Sequence, residues 1–531
     1  MSQMTSSIEA PSNGFGQSME AKPTLAPLRL GKTTALGLIG TVAIVVGAVL
    51  GGRNYETHLP GAWFFGMPGG LFGSLGSNSN YPPVYAVIGV FGGLILLTRV
   101  WLSLMRQLRA RPGFPVRKVV LVVALWAVPL LLAPPLFSRD VYSYAGQGEM
   151  VSHHINPYDY GTGVLGVTPF STLPDPIWTK TPTPYGPTFL AIDGGLTKLS
   201  GHEILPDLVL LRLLEVASLA LIMAALPTLA RSMRRDPAET VLLGAGCPLV
   251  LMSLVGGAHN DALMIALLVA GLALAQRRRM VPGIILCALA AGVKSPAALG
   301  VLFLGWVWAG REAKVTQRLL HTVAAGVIGL LTMEVMAVVS GTGWGWLKTS
   351  TAADQSFTDT TPIDAVARFC NLVGDVIRVH IPLLGTRTVL SVIGLIIAGV
   401  IGLWLLHRAP YDGVPRTLGL TLLLVALLGP ILWSWYITWG VIVLAPAASP
   451  TLRRFLIALI TFETFVGASK VDTFLRTLYQ NGLLGTLITI AALFALVIIP
   501  LAPFSRWHLP TLRWPTGRGT ASLVPTTPHT D

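Results

Sequence analysis

Apolar segments long enough to cross a membrane recur along almost the whole chain, and they restrict its fold more than any other feature. A transmembrane helix needs roughly 20 apolar residues, with a range of about 17 to 25. Segments near or somewhat below this length lie at about 33–51, 84–105, 118–136, 206–229, 239–256, 262–276, 280–293, 296–310, 319–340, 388–406, 417–432, 436–447, 455–469 and 482–501. The shorter ones are also compatible with re-entrant or half-spanning helices. We therefore predict an all-α polytopic membrane protein with a bundle of about 12 to 14 transmembrane helices.

The distribution of charge supports this prediction and argues against a nucleic-acid partner. Only 11% of the residues are charged and 53% are hydrophobic, whereas a soluble domain has about 25% charged residues. The net charge of +13 comes from basic residues in short clusters between apolar segments. Such clusters are typical of topology signals, and the single basic patch of a nucleic-acid-binding surface is not present in the sequence. The expected surroundings are a lipid bilayer.

The connecting loops are of two kinds, which predicts the orientation. Short basic loops, such as RRR at 277–279, are expected in the cytoplasm by the positive-inside rule. Longer loops with little net positive charge, at about 52–83, 137–205 and 341–387, are then external. This alternation leaves both termini cytoplasmic. It divides the chain into a disordered tail (1–31), a membrane domain (32–502) and a C-terminal tail (503–531).

Residues able to do chemistry lie at the predicted external ends of the spans. Asp140 ends an apolar segment, and His259-Asn260-Asp261 joins two others. Lys294 interrupts the apolar stretch 280–310, which has basic flanks on both sides, so two short helices are expected to meet there. The cluster WSWY at 433–436 follows Gly429-Pro430, and Arg368 lies in the third external loop.

Each of these signals also has a structural interpretation. Asp140 is compatible with a helix cap or with a pair to Arg139, and Asn260-Asp261 with an ordinary N-cap. The aromatic residues at 433–439 are compatible with an interfacial belt. Lys294 has no acid within several residues, so a buried ammonium there predicts an anionic ligand. The adjacent His153 and His154 lack a metal-ligand spacing, and no metal site is expected.

Five stretches occur in a fixed order between the spans. They are SRDVYSYAGQG (138–148), TPTPYGPTF (181–189), GGAHNDALM (256–264), GVKSPA (292–297) and GP…WSWY (429–436). This pattern, over roughly residues 80–500, resembles the actinobacterial polyprenol-phosphate-mannose-dependent α-1,6-mannosyltransferases of the GT-C superfamily. The resemblance implies a GT-C-type bundle with large external loops. It also implies an inverting plasma-membrane enzyme that elongates the mannan backbone of lipomannan and lipoarabinomannan at the outer face.

The resemblance also implies substrates and residue roles. The donor would be polyprenyl phosphate mannose and the acceptor a phosphatidylinositol-mannoside or mannan, with no separate cofactor. Asp140 takes the place of the acidic residue on the first large external loop of the GT-C core and would be the catalytic base. It follows the third span here, so residues 33–105 resemble an added helix pair. Lys294, His259 and Arg368 would bind the donor phosphate. The expected sugar- and acceptor-binding residues are Arg139, Tyr142, Tyr144, Tyr185, Asn260, Asp261, Trp435 and Tyr436.

Two other functions stay open at this point. A secondary transporter or lipid flippase would also have many spans and a buried lysine, but it usually has internal repeats and polar groups near mid-membrane. A GT-C transferase for another polyprenyl-linked sugar, such as arabinofuranose or glucose, would share the same features.

Overall fold

The computed structural model describes residues 30–52, 84–349, 361–376 and 383–467. Every regular element in these ranges is a helix, which confirms the predicted all-α class. Each predicted apolar segment within the described residues overlaps at least one helix. The segment 482–501, both predicted tails apart from the start of the first helix, most of the loop 52–83 and part of the loop 341–387 lie outside the described residues.

The helices are numbered here in chain order, leaving out single turns. They are α1 (Leu30–Gly51), α2 (Val84–Arg109), α3 (Val116–Leu132), α4 (Asp140–Ser152), α5 (Pro187–Leu199), α6 (Ile204–Ser232), α7 (Pro237–Gly244), α8 (Pro248–Gly256), α9 (Asp261–Gln276), α10 (Met280–Ala291), α11 (Ser295–Trp308), α12 (Val315–Ser340), α13 (Pro362–Val376), α14 (Leu383–Asp412), α15 (Val414–Leu428), α16 (Ser434–Ala447) and α17 (Pro450–Gly467). Four single turns, Thr162–Leu165, Pro169–Thr172, Pro176–Lys180 and Trp346–Thr349, lie in the loops.

Among the described helices, α1, α2, α6, α12 and α14 are long and apolar enough to cross a membrane singly. Helices α7 and α8 reach that length together, with a bend of 46° between them. Shorter apolar helices meet at three polar junctions: α8 with α9 at residues 257–260, α10 with α11 at 292–294, and α15 with α16 at 429–433. These short helices were predicted from the sequence as apolar segments. Candidate site residues such as His259, Asn260 and Lys294 lie at the junctions between them.

The break between α10 and α11 follows from local sequence. Lys294 is extended, with φ −150° and ψ 128°, and Pro296 lies in the first turn of α11. Proline is tolerated there because the first amide groups of a helix have no intrahelical acceptor. The prediction of two short helices meeting at Lys294 is confirmed.

The junction between α8 and α9 is formed differently. Residues Leu251–Gly256 adopt π-helical geometry, and Ala258 follows with φ +52°. A π-bulge and a left-handed alanine are both uncommon and occur often at functional sites. Together they turn the chain so that His259 lies beside Asp140.

The helix pair that precedes the junctions is packed through small residues. A Cβ atom added to Gly47 of α1 would lie 2.6 Å from the backbone nitrogen of Val90 in α2, and one added to Gly93 would lie 2.6 Å from the carbonyl oxygen of Gly40. Glycine therefore allows the two backbones to touch, as in many membrane helix pairs. The predicted N-terminal pair is a packed unit.

Candidate active site

Asp140 is the first residue of α4 and is held by contacts on both sides. The Leu136 amide donates to the Gly256 carbonyl at 2.9 Å, which ties the preceding loop to the end of α8. The Arg139 guanidinium donates twice to the Leu173 carbonyl, at 2.9 and 2.6 Å. Arg139 therefore binds the loop between α4 and α5, and these bonds, not a pair with Asp140, orient its guanidinium. The Asp140 side chain is 17% exposed, which leaves its carboxylate accessible.

His259 faces this carboxylate. Its Nε2 atom lies 3.8 Å from Asp140 Oδ2, and its Nδ1 atom lies 2.7 Å from the Ser253 carbonyl oxygen. Because a carbonyl oxygen only accepts, Nδ1 carries a proton and Nε2 is directed at Asp140. The imidazole also stacks on Trp435, with ring centroids 3.8 Å apart. The ring is thereby fixed in position and in tautomer.

Burial brings the proton affinities of the pair together. It raises the pKa of Asp140 above its ordinary value, an effect that the nearby charges of His259 and Lys294 oppose. It lowers the pKa of His259, and here the Asp140 and Asp261 carboxylates oppose the shift. The two shifts are opposite in direction, and the 3.8 Å between Nε2 and Oδ2 makes the contact electrostatic and longer than a hydrogen bond.

Lys294 has a protein partner that the sequence did not reveal. Its ammonium donates to both oxygens of Asp261, at 3.0 and 2.9 Å, across 33 residues of chain. Asp261 is fully buried and also accepts from the Trp439 indole. Helix packing therefore brings a carboxylate of the protein to Lys294, and the anionic ligand expected from the sequence stays a prediction. The lysine is 12% exposed and still accessible to an anion.

Aromatic rings surround this ion pair. The Lys294 ammonium lies 4.5 Å from the ring centroid of Tyr436 and 5.7 Å from those of Tyr185 and Trp439. Such contacts attract a cation to a ring face. The rings also keep the lysine from moving, so its charge has a fixed position. Trp439 was not predicted as a site residue, although it lies in the aromatic cluster noted in the sequence.

The remaining predicted sugar-binding residues lie around these groups. Tyr144 packs edge-to-face on Tyr185, and its hydroxyl oxygen accepts a hydrogen bond from the backbone N–H of Asn260 at 3.5 Å. Tyr142, Tyr144 and Asn260 are at most 1% exposed, so protein covers them here, and their contact with a sugar stays a prediction. Trp435 and Tyr436 are half-buried at the edge of the junction.

Arg368 lies half-buried on α13, and the contacts described above do not involve it. On the same helix, Asp364 pairs with Arg387 at 2.7 Å, and Arg387 also donates to the Pro430 carbonyl. This pair links α13 and α14 to the junction that carries the aromatic cluster. The donor-phosphate role of Arg368 stays a prediction.

A small cavity of about 20 Å³ lies beside His259 and Trp435. Glu463 of α17 is among its lining residues and is 4% exposed. The other walls are mostly apolar, including Leu136, Phe137 and Met252. Glu463 was missed in the sequence, although a lone acid in an apolar segment is itself a sign of function.

Two of the sequence stretches touch through glycines, which gives a testable prediction. The Phe189 amide donates to the Gly292 carbonyl at 3.1 Å, and a Cβ atom on Gly186 would lie 2.5 Å from that same oxygen. Gly186→Ala is therefore expected to push the Lys294 loop away and destabilise the protein by about 1–3 kcal/mol. Thermal unfolding of the detergent-purified protein measures this change.

The matched control is Gly195→Ala in α5, the helix that begins directly after Gly186. A Cβ atom there meets nothing within 4 Å, so alanine is expected to be neutral or slightly stabilising. Equal unfolding temperatures for the two variants would show that the contact between the stretches is not tight.

Comparison with known proteins identifies the family to which the chain belongs. A family model described as the α-(1→6)-mannopyranosyltransferase N-terminal domain matches residues 34–310, and an MptB C-terminal domain model matches residues 365–500. The α-(1→6)-mannopyranosyltransferase A of Mycobacterium tuberculosis is 32% identical, covering 82% of this chain and 84% of that protein. A probable α-(1→6)-mannopyranosyltransferase of Mycolicibacterium smegmatis is 29% identical, with 88% and 89% covered.

A third relative, α-(1→6)-mannopyranosyltransferase B of Corynebacterium glutamicum, is 26% identical, with 78% of this chain and 72% of that protein covered. No solved structure matches the chain. The family model covers more than half of the sequence, and the relatives align over most of it, which confirms the resemblance carried by the five stretches. The chain belongs to the α-(1→6)-mannopyranosyltransferase family of glycosyltransferases.

Proposed function

We propose that this protein transfers mannose from polyprenyl phosphate mannose to the 6-hydroxyl of a mannan acceptor. The reaction would take place at the outer face of the plasma membrane during synthesis of lipomannan and lipoarabinomannan. The observation that carries the proposal is the pairing of an accessible carboxylate, Asp140, with His259 beside the Lys294–Asp261 ion pair. Family membership favours this enzyme over a transporter.

The chemistry needs one base and one group that stabilises the leaving phosphate. The acceptor oxygen attacks the anomeric carbon of a β-mannosyl phosphate from the opposite face, and the carbon–oxygen bond to phosphate breaks. The bonding electrons go to the phosphate oxygen, and the hydroxyl proton goes to Asp140. A single displacement inverts β to α. It needs one base acting on the acceptor, not a covalent nucleophile.

Lys294 would counter the charge that develops on the phosphate. A fixed cation in a site with little water stabilises such charge more strongly than a mobile one. Asp261 and the aromatic rings around Lys294 provide this fixed position. His259 would stabilise the Asp140 carboxylate before transfer and share its proton afterwards.

The location of the site supports a lipid-linked donor and the outer face. Asp261 begins α9, and the basic triplet 277–279 follows its last residue. Over 16 residues a helix rises about 24 Å, so the site and this cytoplasmic signal lie at opposite ends of one helix. The described residues contain no strand that could build a nucleotide-binding sheet. A sugar held on a membrane lipid would meet the acceptor at this depth.

The direct test is transfer of labelled mannose in membranes that contain the protein. Polyprenyl phosphate mannose and a short α-1,6-mannoside are supplied, and the product linkage is determined by NMR. Transfer with a new α-1,6 linkage is expected from this donor and not from a nucleotide-linked mannose. Transfer of another polyprenyl-linked sugar in place of mannose would refute the sugar assignment and keep the enzyme class.

The Asp140–His259 pair predicts a specific pH dependence. The base acts as a carboxylate, and burial raises its pKa above the ordinary 3.8, so transfer is lost as pH falls through that raised value. The positive charge of His259 lowers the pKa of Asp140. His259→Gln is therefore expected to move the acidic limb of kcat/KM to higher pH.

The pH profiles of wild type and His259→Gln are compared with that of His321→Gln. His321 is half-buried on α12, where it hydrogen-bonds to the Gln317 carbonyl, so its variant should keep the wild-type profile. An unchanged or lower acidic limb in His259→Gln would show that the imidazole does not stabilise the carboxylate.

A further inference from the structure

The far end of α4 carries a polar cluster that the transfer reaction does not use. Glu149, His153 and His202 each direct one possible ligand atom to a common region, and these atoms lie within 4.8 Å of one another. The side chains are 13%, 55% and 43% exposed, respectively. The cluster is therefore accessible to an ion from solvent.

The tertiary structure assembles this cluster from two places. Glu149 and His153 are four residues apart at the end of α4 and share a face. His202 comes from the loop between α5 and α6, where Gly201 and His202 have φ values of +69° and +64°. A histidine in the left-handed region is uncommon, and here it brings the imidazole to Glu149. The prediction of no metal site rested on the adjacent His153 and His154, and the sequence did not reveal that His202 lies beside Glu149.

The distances fit a carboxylate between two imidazoles. His202 Nδ1 lies 2.7 Å from Glu149 Oε2, and His153 Nδ1 lies 3.5 Å from Oε1. Tetrahedral zinc with bonds of about 2.0–2.2 Å separates its ligands by about 3.4 Å. The 2.7 Å contact would therefore open by about 0.7 Å and the 3.5 Å contact would stay nearly unchanged, which the exposed histidine side chains can do by rotation. Two imidazoles and a carboxylate leave the fourth position to water.

A buried acid lies close to the cluster. Asp207 is fully buried, accepts from the Thr197 hydroxyl at 3.0 Å and interacts electrostatically with Glu149 and His202. It is not one of the three possible metal ligands.

We propose that Glu149, His153 and His202 bind a divalent transition-metal ion, of which Zn²⁺ fits the ligand set best. The ion joins the end of α4 to the loop between α5 and α6. Glu149 is nine residues from Asp140, about 14 Å along the helix, so the ion does not contact the reacting groups. It fixes the far end of the helix whose first residue is the proposed base. The site does not depend on the proposed sugar chemistry.

Zinc binding to the full-length protein in detergent tests this proposal directly. The protein is stripped with a chelator, and Zn²⁺ is titrated against a chromophoric competitor, with bound metal counted by elemental analysis. The variants are His153→Gln, His202→Asn and both together, since asparagine tolerates the left-handed backbone. The control is His154→Asn, an adjacent exposed residue that also has a positive φ, +59°.

Wild type and the control are expected to bind one more Zn²⁺ per chain than the double variant. Each single variant should bind that ion at least about tenfold more weakly. Binding should also weaken as the histidines become protonated at low pH. Equal zinc content in wild type and the double variant, with both correctly folded by thermal unfolding, would overturn the proposal.

Discussion

Asp140→Asn is expected to lower mannosyl transfer by at least about two orders of magnitude, the range typical of removing acid–base catalysis. The amide keeps the size of the side chain and its position at the start of α4 but cannot take the hydroxyl proton. The carboxylate makes no contact that holds the loop, because Leu136 and Arg139 bind elsewhere. The variant should therefore fold normally. Transfer rates are measured at equal protein levels.

Two other acids serve as controls for this assignment. Asp159 lies exposed in the loop between α4 and α5, and Asp159→Asn should transfer at nearly the wild-type rate. Asp261→Asn removes the charge that holds Lys294, so it should reduce transfer while leaving the carboxylate base in place. If Asp140→Asn transferred like wild type, Asp140 would be a structural residue at the start of its helix.

Lys294→Met is expected to have the second large effect, on both stability and transfer. The substitution leaves the Asp261 carboxylate fully buried without its ammonium partner, and breaking a buried ion pair from one side costs about 3–5 kcal/mol. Transfer should fall by about two to three orders of magnitude, as when one stabilising donor is removed from a site. Unfolding temperature and transfer are measured on the same preparation.

The double variant Lys294→Met with Asp261→Asn separates the two effects. With the unpaired charge removed, most of the stability should return, since replacing both members of a buried pair is often nearly neutral. The Trp439 indole retains an amide oxygen to which it can donate. Transfer should stay low because no cation faces the phosphate. Recovery of transfer along with stability would give the pair a purely structural role.

The ion pair also changes the electrostatic character of the site. A lone lysine would make the site strongly positive and ready for an anion. Lys294 with Asp261 is neutral overall, and the Asp140 carboxyl group faces His259 at 3.8 Å. Under the proposed function, the donor phosphate would enter a site in which the positive charge is already held in place by its neighbours. This fixed position, more than net charge, would favour the transition state.

The sequence alone determined the features that depend on nearby residues and on the lipid solvent. Apolar length predicted the helices, because backbone groups in a bilayer must be satisfied within the helix. Basic flanks and Pro296 predicted the break at Lys294. The same reasoning located Asp140, His259, Asp261, Lys294 and Trp435 at junctions, although it could not pair them.

The tertiary structure decided which of these residues meet. The Lys294–Asp261 pair and the stacking of His259 on Trp435 join residues far apart in the sequence. The same holds for His202 beside Glu149. Periodicity and charge describe one segment at a time, so they report that a side chain is buried or exposed but not its partner. The partner is set by how helices of nearly uniform apolar surface pack against one another, and that depends on small residues and shape across the whole bundle.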